Sequence, residues 1–68
     1  MDKFKRNKTT GKGYKITRFS KAYAEAKGHS RYYVALFNKD ALTAFDGWYT
    51  DKLRHAIGDG ENFICNID

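Results

Sequence analysis

The amino-acid sequence predicts a small single domain of the α+β class. Its 68 residues are enough for one domain and too few for two. Aromatic residues make up 16% of the chain and supply large rings for the core of a short protein. A β-branched and aromatic stretch precedes a longer amphipathic pattern. We therefore expect a β-hairpin over roughly 13–37, then one long amphipathic helix and a C-terminal strand.

The first 12 residues are expected to form a flexible basic arm ahead of a compact domain over 13–68. They show no apolar periodicity, and Phe4 is their only large apolar residue besides the initial Met1. Gly11 and Gly13 flank Lys12, and glycines in a polar segment favour irregular structure.

The hairpin is predicted from two stretches with β-forming side chains. Residues 14–19 read Tyr-Lys-Ile-Thr-Arg-Phe, and residues 31–38 contain the run Tyr-Tyr-Val. The stretch between them also fits a short helix, because Ser20 is a good N-cap and Gly28 a good helix terminator. We favour the hairpin because a final strand needs a sheet to join, and an isolated two-stranded ribbon is marginal in water.

The alternative places two helices in residues 18–38, followed by the long helix and a two-stranded ribbon. Ala24, Gly28 and Val34 have the relative spacing of the small, turn and apolar positions in a helix-turn-helix, so the stretch resembles that motif. The resemblance covers about 20 residues and implies that Arg31 would face a base edge or a phosphate at the start of the second helix.

The long helix is predicted to begin after Asp40 and to end at Gly58. Its apolar stripe has helical spacing and consists of Leu42, Phe45, Tyr49, Leu53 and Ala56. Gly47 interrupts the pattern. Asp59-Gly60 then signals a turn, and residues 61–67 read as the last strand, with Phe63, Cys65 and Ile67 on one face.

Charge is unevenly distributed along the chain. The net charge is +6 over residues 1–19, +3 over 20–39 and −4 over 40–68. A basic half favours phosphates, whose neutralisation releases counterions, and flat rings can stack on bases. We therefore expect a non-catalytic nucleic-acid-binding module whose contact residues are Lys3, Lys5, Arg6, Lys8, Lys12, Lys15, Arg18, Lys21, Arg31 and Tyr32.

A protein partner is the alternative to nucleic acid. A short chain with segregated charges and no catalytic constellation also fits a phage-type protein that binds and inhibits a host enzyme. An exposed strand edge, or Trp48 on the long helix, would suit a homodimer.

Other functional classes find little support in the sequence. Cys65 is the single cysteine, and no CxxC or HxxxH spacing occurs, so we expect no disulfide, metal or cofactor. We also expect no catalytic residues and no small-molecule substrate. The longest apolar run, residues 32–37, is too short to cross a membrane, and no signal peptide is visible. The expected location is the cytoplasm, which would be the host's if the protein is viral.

Overall fold

One helix covers one side of a four-stranded antiparallel sheet whose strands follow each other in chain order. A computed structural model describes residues 2–66. The elements are β1 (Asp2–Arg6), β2 (Gly13–Arg18), α1 (Lys21–Lys27), β3 (Tyr32–Phe37), β4 (Asp46–Thr50) and α2 (Leu53–Cys65). The α+β class is therefore confirmed, whereas the expected order of hairpin, helix and C-terminal strand is not.

The core lies between the sheet and α2. Tyr14 and Ile16 of β2 and Val34 and Leu36 of β3 alternate along their strands, so all four point toward the helix. They meet Ala56, Gly60 and Ile64, which recur every fourth residue and form the buried face of α2.

Helix α1 connects β2 to β3 and has the ends that the sequence indicates. The hydroxyl of Ser20 accepts a hydrogen bond from the amide of Tyr23 at 3.1 Å, and Gly28 ends the helix with a φ of 73°. The helix-turn-helix alternative is wrong, because the residues after Gly28 form β3 and not a second helix. Strands β2 and β3 do pair, as the hairpin prediction requires, but α1 joins them instead of a tight turn.

The predicted helix over 41–57 is wrong for residues 41–52, and only residues 53–57 are helical, as the start of α2. Trp48, Tyr49 and Thr50 are residues that favour strands, and they pair with β3 as part of β4. Leu42, assigned to the apolar stripe, is 93% exposed in a loop. Asp40 does not cap a helix and instead occupies a turn with a φ of 58°, where its amide donates to the carbonyl of Gly11.

The predicted C-terminal strand is also wrong, because residues 61–65 belong to α2. Asp59-Gly60 signals a turn when read locally, but in the fold Gly60 is buried beneath the ring of Tyr14. The missing side chain lets helix and sheet approach closely, and this packing outweighs the low helix propensity of glycine. Ile67, the last residue of the predicted strand, lies outside the described residues.

Residues 2–6, assigned from composition to a flexible arm, form the edge strand β1. They pair with β2 in a register that places Lys3 opposite Ile16 and Lys5 opposite Tyr14. The loop over residues 7–12 returns the chain to β2, and Asn7 organises it by accepting hydrogen bonds from the amides of Thr9 and Thr10.

Candidate nucleic-acid interface

The predicted contact residues do not form one continuous surface. Strand alternation separates the sheet into a helix side, which faces α2, and an open side, which α2 does not cover. Lys3, Lys5, Arg18 and Tyr32 lie on the helix side, and Arg6 and Lys15 lie on the open side. Lys8 is exposed in the loop over 7–12, and Lys21 is exposed on α1.

Lys5 forms an ion pair on the helix side. Its ammonium donates to Glu61 Oε2 at 2.8 Å, and the hydroxyl of Tyr14 donates to the same oxygen at 2.7 Å. Hydrogen bonds from Lys5 and Tyr14 hold the pKa of Glu61 below its ordinary value. Burial of the Tyr14 phenol, aided by Glu61, raises the pKa of Tyr14 to about 12. These residues link β1 and β2 to α2.

Arg6 and Lys12 serve the fold instead of offering free charge. The guanidinium of Arg6 donates to the carbonyl oxygens of Gly11 and Ala41 and so joins two loops. Lys12 is only 7% exposed, and its ammonium donates to the carbonyl of Asn66 at 2.8 Å, just past the end of α2. Contact of Lys12 with nucleic acid stays a prediction, and it would require this buried side chain to leave the carbonyl of Asn66.

Arg31 and Tyr32 lie at the start of β3. Tyr32 packs against the core cluster, and the guanidinium carbon of Arg31 lies 5.8 Å from the centre of the Tyr32 ring. The carbonyl of Arg31 accepts a hydrogen bond from the amide of Phe19 and so continues the β2–β3 pairing by one residue. Tyr32 is thus mainly a packing residue.

A group of rings on the open side forms a surface that the sequence analysis did not anticipate. We call it the aromatic cluster; its members are Phe19, Tyr23, His29, Tyr33 and Tyr49. The stacked pair Phe19–Tyr23 has a centroid distance of 5.3 Å, and the His29–Tyr49 pair has one of 4.2 Å. Tyr49 also contacts Tyr33 at 4.8 Å, so the rings run without a break from α1 to β4.

Two rings of the aromatic cluster are well exposed. Tyr23 is 47% exposed and Tyr49 is 46% exposed, whereas the other three members are half-buried beneath and between them. The packed members hold the exposed rings in fixed positions, so binding a flat ligand there costs little side-chain entropy.

Two cations lie on or beside the surface that carries the aromatic cluster. Lys15 lies in the same sheet surface, and the ammonium of Lys27 lies 5.7 Å from the centre of the Tyr23 ring. None of the open-side positions in β2, β3 and β4 carries a carboxylate. Rings beside cations make an arrangement that accepts bases and phosphates together.

The sequence contained one signal for this surface. If residues 46–50 are a strand, Tyr49 and Tyr33 become cross-strand partners, as the register shows. Assigning Tyr49 to a helix removed that pairing. His29 and Phe19 enter the cluster only through the α1 connection, which no local pattern specifies.

Comparison with known proteins gives no relative: no family model, curated protein sequence or solved structure matches the chain. Over residues 2–66, no helix is long and apolar enough to cross a membrane. The same residues contain no group of three or more histidine, cysteine or acidic side chains arranged to hold a metal ion. The function of the chain is therefore inferred from its own geometry.

Proposed function

We propose that the protein is a small, non-catalytic module that binds single-stranded nucleic acid on the open side of its sheet. The aromatic cluster receives unstacked bases, and nearby cations, including Lys15, Lys21 and Lys27, attract the phosphates. The observation that carries the proposal is the pair of exposed rings, Tyr23 and Tyr49, which packed neighbours hold on the open side of the sheet.

A single strand fits this surface better than a duplex does. Bases in a duplex are stacked on each other, whereas those of a single strand are free to stack on protein rings. The two exposed rings of this cluster, Tyr23 and Tyr49, each offer a face on which one base of a single strand can stack. The basic half of the chain also supplies a long-range attraction that is independent of sequence.

The test is fluorescence-anisotropy titration with a labelled oligothymidine of about 15 nucleotides and a duplex of equal length. We expect the single strand to bind more tightly, and the affinity to fall steeply between about 50 and about 200 mM salt. Tyr49→Leu and Tyr23→Leu retain apolar bulk but lose the flat ring. Each should weaken binding by roughly tenfold, because one base stack contributes about 1–3 kcal/mol.

Phe45→Leu is the matched control, because Phe45 is 52% exposed and packs with Phe63, away from the aromatic cluster. Its affinity for oligothymidine should equal that of the unaltered chain. The proposal fails if neither nucleic acid binds at low salt, or if all three substitutions weaken binding equally.

A further inference from the structure

A second surface lies on the helix side of the sheet, away from the aromatic cluster. Helix α2 packs mainly across β2 and β3, so β1 extends past it and leaves a groove between the helix and the edge strand. The groove has a volume of about 580 Å³. A cleft of that size accommodates several side chains of a partner.

The floor and one wall of the groove are apolar. Tyr14 and Ile16 form the floor, and Leu53 and Ile57 form the wall. Leu53 is 43% exposed and Ile57 is 41% exposed, and their spacing of four residues places them on the same face of α2. Covering this aliphatic wall and apolar floor with a partner would remove apolar surface from water and so favour the complex.

The rim of the groove is positively charged. It carries Lys3, Lys5 and Arg18. Within residues 2–66, Lys5 alone of these three forms an ion pair, with Glu61. The side chains of Lys3 and Arg18 make no hydrogen bond or ion pair within that described range. The charge complementary to this rim is therefore negative.

We infer that the groove binds an acidic amphipathic helix of a partner protein, an interaction separate from the proposed nucleic-acid binding. A helix laid beside α2 would extend the helical layer over β1, which is how two-layer α+β domains cover a sheet. Its apolar residues at helical spacing would pack on Leu53, Ile57 and the floor. Its carboxylates would meet the rim and give specificity against basic helices.

Aliphatic walls distinguish this surface from the aromatic cluster. Leu53 and Ile57 offer no ring for a base to stack on, and a nucleic-acid backbone over them would cover apolar surface with phosphates. A peptide helix supplies both the apolar stripe and the charged flank that the groove requires.

The experiment uses a labelled, capped peptide of about 14 residues, enough for roughly four helical turns, with leucines at helical spacing and alanines and glutamates elsewhere. We expect saturable binding by fluorescence anisotropy. Replacing the glutamates by lysines, or the leucines by serines, should each weaken binding at least tenfold.

Variants of the full chain locate the contact. Ile57→Ser and Arg18→Glu should each weaken peptide binding about tenfold, whereas Lys39→Glu should not. Lys39 is exposed and lies beside Gly11 at the other end of the sheet, so it controls for the same change of charge. Circular dichroism of each variant verifies that it is folded.

Three outcomes would overturn the inference. Equal weakening by Arg18→Glu and Lys39→Glu would indicate attraction by net charge alone. Undiminished binding of the serine peptide would show that the apolar wall is not used. A dimer in sedimentation that Ile57→Ser dissociates, without peptide binding, would assign the groove to a second copy. Tyr49→Leu separates the two proposals, since it should weaken oligothymidine binding and leave peptide binding unchanged.

Discussion

Two glycines of α2, only two residues apart, have opposite surroundings. A β-carbon at Gly58 would meet nothing within 4 Å, whereas one at Gly60 would lie 2.5 Å from the ring of Tyr14. Gly58→Ala should therefore raise the free energy of unfolding by about 0.5–1 kcal/mol, because alanine loses less backbone entropy in a helix. Gly60→Ala should lower it by roughly 1–3 kcal/mol through overpacking.

Urea unfolding followed by circular dichroism measures both changes. The two substitutions add the same methyl group to the same helix, so helix propensity alone would stabilise both variants. If Gly60→Ala stabilised the protein as Gly58→Ala does, the close approach of Tyr14 to α2 would be contradicted.

Tyr14 should make stability depend on alkaline pH. Its pKa is about 12 in the folded protein, against about 10 in an unfolded chain. The folded state retains the phenol proton more strongly, so the stabilisation is complete below pH ~10 and is lost as the pH rises toward 12. The expected loss is on the order of 2–3 kcal/mol.

Comparing Tyr14→Phe with the unaltered chain separates the ionisation of Tyr14 from that of the lysines, because the lysines are present in both proteins. The variant lacks the hydroxyl and its hydrogen bond to Glu61, so it should be less stable than the unaltered chain at pH 8. The difference between the two proteins should shrink as the pH rises to 11. A constant difference would mean that folding does not raise the pKa of Tyr14.

Helix α2 is held at its C-terminal end by tertiary hydrogen bonds and lacks a side-chain cap at its N-terminus. Its first residue follows Lys52, which forms no capping hydrogen bond, and its first turn contains no acidic residue. At the other end, Lys12 donates to the carbonyl of Asn66, and Thr10 donates to that of Ile64 at 2.7 Å. A cation at a helix C-terminus also interacts favourably with the helix dipole.

Lys12→Ala should therefore destabilise the protein by about 1–3 kcal/mol, the range for losing a charge-assisted hydrogen bond. Lys8→Ala is the matched control, since Lys8 lies in the same loop and is exposed. Thermal unfolding distinguishes them, because only Lys12→Ala should lower the midpoint by several degrees. Equal midpoints would show that the contact with Asn66 contributes nothing.

Elements defined by local signals could be predicted, and those defined by distant packing could not. Ser20 and Gly28 mark the ends of α1 correctly, since capping involves only neighbouring residues. Helix α2 contains two glycines, which locally disfavour a helix. The helix continues through Gly60 because the ring of Tyr14 packs against it, a contact with a distant part of the chain. The apolar spacing over 42–56 matched a helix by coincidence, since residues 46–50 within it form the strand β4.

The candidate site also has features that the sequence could predict and features that it could not. Basic charge was visible in the composition, and Lys3, Lys8 and Arg18 are exposed in the structure. Burial of Lys12 depends on contacts 54 residues away along the chain, so no local pattern indicated it. The aromatic cluster required a correct β3–β4 register, which the helical interpretation of residues 46–50 excluded.

At the scale of the whole molecule, residues 2–12 are part of the folded body. They supply β1, the ion pair with Glu61 and both donors to the end of α2. We expect a chain lacking residues 1–12 to lose cooperative thermal unfolding, because the deletion exposes the outer edge of β2 and one side of the core.

A double variant, Lys3→Ser with Lys8→Ser, separates the loss of positive charge in the truncated chain from the loss of strand β1. It removes two cations without deleting a strand, so it should retain a sharp transition in circular dichroism. A truncated chain that unfolds as cooperatively as the unaltered protein would contradict the integral role of β1.

The order of the strands also has a kinetic consequence. Each strand pairs with its neighbour in the chain, so the sheet assembles by closing short loops, which is entropically cheap. The bonds from Thr10 and Lys12 to the end of α2 each span 54 residues, and they require the far ends of the chain to meet. We expect the helix to dock after the rate-limiting step. Gly58→Ala should then act mainly by slowing unfolding, with little effect on the rate of folding.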